Sequence, residues 1–166
     1  MYGYERNGDY VSFFYKNDSV RRLITKSGNV LELYGYMLIK EIMAEDESFA
    51  DDCDVGVFVD WDGVLSFGAE TRNEIDIVVM KDFIPVFISC KNGEVYKEAL
   101  YELDTLARRY GGKYARKIMF ASYVSSDEDK KEYIKLRAAD MGIMLVDGIE
   151  KMTREEFKEK LKRILK

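Results

Sequence analysis

The sequence predicts an α/β fold, one mixed β-sheet held between layers of helices. Five short apolar runs, rich in Val, Ile and Phe, read as strands buried on both faces. Longer stretches with apolar residues at helical spacing lie before, between and after them. The connections are short, and no Pro-rich or low-complexity linker interrupts the chain, which at 166 residues has the size of one ordinary domain.

Residues 1–26 form an aromatic-rich extension. Tyr10-Val11-Ser12-Phe13-Phe14-Tyr15 suits a strand and Lys16-Asn17-Asp18-Ser19 a polar turn. The rings serve either as a packing arm or as platforms for bases. From 27 to 166 the elements follow as helix, three strands, helix, strand, helix, strand, helix. The first helix, over 28–43, has Ser27 or Asn29 as its cap and a stripe of Val30, Leu31, Tyr34, Leu38 and Ile42. Glu32 is the only charge between Val30 and Ile39, where its helix start gives it a favourable dipole. The next strand is Val55-Gly56-Val57-Phe58-Val59, closed by turn residues Asp60-Trp61-Asp62-Gly63. Strands over 75–80 and 86–91 flank a turn at Lys81-Asp82, and Asn92-Gly93 ends the second of them.

A second long helix runs from Val95 to Tyr110 on Leu100, Leu103, Leu106, Ala107 and Tyr110. Arg108 and Arg109 suit its last turn, and Gly111-Gly112 stops it. A strand over 118–121, a helix over 128–141 and a strand over 143–146 complete the sheet. Thr153-Arg154-Glu155-Glu156 is a capping box for a final helix carrying Phe157, Leu161, Ile164 and Leu165.

Composition narrows the chemistry. With no histidine, imidazole catalysis, His-based zinc sites and Ser-His or Cys-His nucleophiles are excluded. Cys53 and Cys90 are too few for a zinc set or a disulfide framework, and a reducing compartment is expected. No window approaches the roughly 18 apolar residues of a membrane span. Met1-Tyr2-Gly3-Tyr4-Glu5-Arg6 does not look like a signal peptide, so the expected location is cytoplasmic. A net charge of −5 argues against a general nucleic-acid coat, though bound cations and a local basic patch are compatible with a nuclease.

The polar residues inside apolar strands carry the functional argument. Asn73-Glu74-Ile75-Asp76 opens one strand and Phe87-Ile88-Ser89-Cys90-Lys91 closes the next. Residues two apart share a strand face, so Glu74 points with Asp76, and Ser89 with Lys91. If these strands pair as a hairpin, Asp76 and Lys91 meet. A carboxylate holding a divalent cation beside an ammonium suits phosphodiester hydrolysis, and Glu32 can complete the group from the first helix. Each residue also has a plain structural reading: Asp76 paired with Arg72, Lys91 snorkelling from the sheet, Glu74 in solvent, Cys90 in the core. Arg108, Arg109, Lys113, Arg116 and Lys117 cluster around Gly111-Gly112 and form a candidate phosphate track or a solvated helix end.

These residues resemble the PD-(D/E)xK nuclease superfamily. The segments Gly28-Asn29-Val30-Leu31-Glu32, Asn73-Glu74-Ile75-Asp76, Phe87-Ile88-Ser89-Cys90-Lys91 and the helix ending at Gly111-Gly112 are most similar to the nuclease domain of the Can/Card effectors of type III CRISPR systems. The resemblance implies a restriction-endonuclease-like fold over 27–166 and a Mg²⁺- or Mn²⁺-dependent endonuclease for DNA, RNA or both. It implies an antiviral effector working as a homodimer with a cyclic-oligoadenylate-sensing domain, which a chain of this length does not also hold. Catalytic roles fall on Glu32, Asp76, Lys91 and Ser89. Metal ligands fall on Asp76, Glu32, the Cys90 backbone carbonyl and Glu74, with Asp60 a further oxygen donor. One departure stands out: the superfamily expects Glu, Asp or Gln two residues before the lysine, and here that residue is Ser89, a weak ligand for a hard cation. The alternative is a catalytically inactive nuclease-fold module for nucleic-acid binding or dimer assembly.

Overall fold

The structure, a computed structural model, describes residues 3–26, 28–60 and 73–166. The chain divides into two compact units, one up to Val30 and one from Leu31 onward. Ser27, Trp61-Asp62-Gly63 and Arg72, invoked above as cap, turn and ion-pair partner, lie outside the described residues.

In the first unit, β1 (Gly3–Asn7) and β2 (Tyr10–Phe14) pair antiparallel from Gly3↔Phe14 to Asn7↔Tyr10. A two-stranded ribbon has no second layer of its own, and the rings of Tyr4, Tyr10, Phe13 and Phe14 stay exposed. Helix α1 (Asp18–Thr25) stands where the sequence suggests a polar turn. The Asn17 side chain accepts the Val20 N–H, and Asp18 pairs with Arg21 and Arg22. Helix caps and turns use the same residue types, so the polar stretch has two readings.

Helix α2 (Asn29–Glu45) leads into the second unit. There β3 (Asp52–Val59), β4 (Asn73–Lys81), β5 (Ile84–Lys91), β6 (Arg116–Ala121) and β7 (Ile143–Val146) form one sheet in sequence order. β3, β4 and β5 pair antiparallel, whereas β5, β6 and β7 pair parallel. The parallel pairs are joined by α3 (Lys97–Gly111) and α4 (Glu128–Asp140), and α5 (Arg154–Leu165) closes the chain behind the expected Thr153–Glu156 capping box. The hairpin between β4 and β5 turns at Asp82 (φ 50°) and Phe83 (φ 65°), the left-handed pair that matches strand twist in a two-residue turn.

Two cores lie on the two faces of the sheet. On one, Leu38, Ile39 and Ile42 of α2 and Phe157, Leu161 and Leu165 of α5 pack with Ile77, Val79, Ile88, Cys90, Ile118 and Phe120. On the other, Leu100, Leu103 and Ala107 of α3 and Ile134 and Ala138 of α4 pack with Ile75, Phe87, Met119 and Ala121. Gly35 explains how closely α2 lies on the sheet: a Cβ there would sit 3.1 Å from both the Ile77 Cδ1 and the Phe120 ring. Among the described residues no helix is long and apolar enough to cross a membrane.

Candidate active site

The site forms where β4 and β5 part. Their ladder runs from Lys81↔Ile84 to Ile77↔Ile88 and goes no further, while β5 stays paired with β6 as far as Lys91↔Ala121. β3 skips a pair at the same level, between Val55↔Ile77 and Val57↔Ile75, where Gly56 adopts φ 63°. This left-handed residue interrupts the regular pleat. Ile75 and Ile77, two apart on one strand, then enter opposite cores.

Asp76 fills the gap left in the ladder. Its Oδ2 accepts the Cys90 N–H at 2.6 Å and the Ser89 hydroxyl at 3.2 Å. The carboxylate satisfies an amide that the departing strand would otherwise have met, with the extra strength of a charged acceptor. Asp76 thus contacts Cys90 through the amide of that residue; its carbonyl, named above as a metal ligand, takes no part in this bond.

A narrow cleft of about 60 Å³ opens at this point on the α3 side of the sheet. It is lined by Glu74, Ile75, Asp76, Ile88, Ser89, Lys91, Glu102, Leu103 and Leu106. Asp76, Ser89 and Lys91 therefore share one space, with room for a cation and a few waters. Glu32 does not line this cleft and comes from the α2 side. Burial pushes the Cys90 thiol well up, the charges of Asp76 and Glu32 push it further, and Lys91 opposes them. The thiol lies in the core on the α2 and α5 face. Cys90 itself is a buried core residue, and the Cys53 thiol is pushed up to about 12, first of all by burial.

The lining is rich in hard oxygen donors: Asp76, Glu74, Glu102 and the Ser89 hydroxyl. That chemistry fits a divalent cation of the Mg²⁺ or Mn²⁺ kind. The carboxylates are not gathered into a finished ligand set, and no three His, Cys, Asp or Glu side chains among the described residues are so gathered. A much larger open groove of about 670 Å³ along α5, lined by Lys151, Met152, Glu156, Glu159, Lys160 and Arg163, shares no residue with the cleft.

Glu102 is the lining residue that sequence reasoning missed. It shares one face of α3 with Tyr101, Thr105, Leu106 and Arg109 beside the buried stripe Leu100, Leu103 and Ala107, a placement that by itself does not separate it from a solvated residue. The basic cluster around Gly111-Gly112 divides among separate tasks. Lys117 bonds Asp104 and the Met141 carbonyl, each at 2.5 Å, and Arg108 holds the other oxygen of Asp104 at 2.8 Å. Arg116 donates to the carbonyls of Ile164 and Leu165, tying β6 to the end of α5. Lys113 lies 4.7 Å from the Tyr114 ring centroid, and Arg109 faces a groove next to the cleft.

Comparison with known proteins gives the family and the fold. The family described as "Card1-like, endonuclease domain" matches residues 17–164, and the chain belongs to that family. Among solved structures, protein VC1899 from Vibrio cholerae superposes with a TM-score of 0.73 at 22% identity, covering 96% of this chain and 38% of that one. Can2 from Sulfobacillus thermosulfidooxidans, solved in complex with cyclic tetra-adenylate, superposes with a TM-score of 0.64 at 19% identity, covering 92% and 37%. The chain thus spans well under half the length of either structure, and at these identities the likeness is one of fold. No curated protein matches the sequence significantly.

Proposed function

Starting from membership in that endonuclease-domain family, we propose that the chain hydrolyses phosphodiester bonds of DNA, RNA or both, as the nuclease part of a CRISPR-linked antiviral effector in the cytoplasm. The observation that carries the reading is the shared cleft of Asp76, Ser89 and Lys91 at the parting of β4 and β5. Asp76, with Glu74 and Glu102 beside it, would hold a Mg²⁺ or Mn²⁺ ion, with Glu32 a further carboxylate on the α2 side, outside the lining of the cleft. The bound cation supplies a polarising charge for a phosphoryl oxygen and lowers the pKa of a water molecule. The Lys91 ammonium orients the attacking water or meets charge developing on the phosphate. The Ser89 hydroxyl donates to Asp76 and so helps to fix that carboxylate in the cleft. Of the basic residues, Lys117 is paired with Asp104 and Arg116 with the α5 carbonyls, so both serve the fold rather than the substrate.

The family also leads us to propose a homodimer, and a cyclic-oligoadenylate-sensing domain elsewhere in the working protein. A second reading is an inactive nuclease fold that binds nucleic acid without cutting it. Ser89 in place of a carboxylate, together with the ungathered ligand set, favours that alternative. The separating experiment is a cleavage assay on labelled single- and double-stranded DNA and RNA with Mn²⁺ and with chelator. Metal-dependent cutting lost in Asp76→Asn supports the enzyme; binding without turnover at every metal concentration supports the inactive module.

A further inference from the structure

The open groove of about 670 Å³ along α5 takes no part in the site described above, and its lining sets out what would fit it. Met152 forms an apolar floor packed against the core of the α2 and α5 face. Lys151, Lys160 and Arg163 surround that floor, and among the described residues none of the three is in an ion pair. The two carboxylates of the lining are already engaged. Glu156 accepts from Thr153 in the capping box, and Glu159 lies 3.1 Å from Lys162. The groove thus presents positive charge around an apolar floor, and it suits a protruding apolar group set among carboxylates.

The chain itself carries such a group. The β4–β5 turn ends in Phe83, which is 97% exposed and so not seated in the groove of its own copy. Beside it stands the exposed carboxylate of Asp82. The loop after α2 braces this turn: the Asp51 carboxylate accepts the Asp82 N–H at 2.6 Å, and Lys81 donates to the Ser48 carbonyl. The same loop adds the exposed side chains of Asp46, Glu47 and Asp51 to the negative charge at this end of the hairpin. A ring held out on a braced turn loses little freedom when it is buried. We propose that the Phe83 turn of one copy docks in the α5 groove of a second copy, with the ring on Met152 and the carboxylates facing Lys151, Lys160 and Arg163. Turn and groove are different surfaces, so the contact is heterologous. Each copy offers a free turn and a free groove to the next, and association continues beyond a two-fold pair. This assembly is distinct from the homodimer proposed above and does not depend on the nuclease reading.

The test is sedimentation velocity of the whole chain over roughly a hundred-fold range of concentration. It compares wild type with Phe83→Gly and with the double variant Lys160→Glu/Arg163→Glu. Glycine suits the φ of 65° at position 83, so the first variant removes the ring and keeps the turn. Wild type is expected to grow in size with concentration, and each variant to associate roughly ten-fold more weakly with unchanged circular dichroism. Raising the salt to about 0.5 M is expected to weaken wild-type association several-fold. The decisive sample is an equimolar mixture of the two variants. One supplies an intact turn and the other an intact groove, so the mixture is expected to form a species larger than either variant forms alone. A mixture that sediments as the sum of its parts overturns the proposal. So does a wild type whose size is independent of concentration. Loss of association in Phe83→Gly with wild-type association in the double variant also overturns it, because the ring would then seat on some other surface.

Discussion

Lys91 and Lys117 stand on neighbouring parallel strands of one sheet and each has an aspartate nearby, yet their surroundings differ. Lys117 is closed: its side chain is 12% exposed, that of Asp104 16%, and the two meet directly while the Met141 carbonyl takes a further proton of the amine. Lys91 is open: it faces a cleft across from Asp76, and among the described residues no ion pair joins it to a carboxylate. Asp76 has turned instead to the Cys90 amide and the Ser89 hydroxyl. A lysine and an aspartate in contact hold a fold together. The same two residue types lining one cleft without such a contact are what the proposed chemistry rests on.

The largest effects test that contrast directly. Asp76→Asn and Lys91→Met should each lower cleavage roughly 10²- to 10³-fold, the range for removing one charge-stabilising group, with circular dichroism unchanged. Asparagine is the informative choice at position 76 because it retains an acceptor for the Cys90 N–H; alanine would also leave that buried amide unmet. Lys117→Met should behave in the opposite sense. Removing one partner of a mostly buried pair costs roughly 3–5 kcal/mol, read from urea unfolding, while the rate per folded molecule stays near wild type. Similar activity losses at both lysines would erase the distinction.

A smaller effect sharpens the account of Ser89. Ser89→Asp should tighten Mn²⁺ binding roughly ten-fold in calorimetry, by adding a carboxylate to the cleft. Unchanged affinity would mean that position 89 does not face the metal.

The smallest expected effect concerns a carboxylate with structural partners only. Glu94 accepts from Ser125, Lys130 and Tyr96, and these bonds hold its pKa down to about 2. Its folded value lies below the ordinary 4.5, so its contribution to stability is complete above pH 4.5 and is lost as the pH falls toward about 2. Glu94→Gln should flatten that part of the acid limb in thermal melts from pH 5 downward. An acid limb identical to wild type would remove Glu94 from the explanation.

Much of this was legible in the sequence because apolar runs and helical stripes report burial. The sheet strands, the helices α2 to α5 and the capping box at Thr153 follow from patterns of that kind. The convergence of Asp76, Ser89 and Lys91 was legible because strand alternation places residues two apart together and a short turn makes neighbours of β4 and β5. Helix α1 was not, since Asn17 and Asp18 serve turns and caps equally well. Neither was the fate of the basic cluster. Nothing in Arg116 or Lys117 reveals that α5 carbonyls and Asp104 await them, because those partners come from distant segments. Glu102 was overlooked for a related reason: on an amphipathic helix a charge at the edge of the buried stripe looks like any solvated residue until the facing strands open beside it.

The measurement that bears most directly on the central claim is the initial rate of Mn²⁺-dependent cleavage of one labelled oligonucleotide by Lys91→Met and Lys117→Met, at a temperature where both variants are folded. The account predicts a loss of at least roughly 10²-fold for the first and a rate within about three-fold of wild type for the second. A Lys91→Met protein that still cuts at the wild-type rate would contradict it.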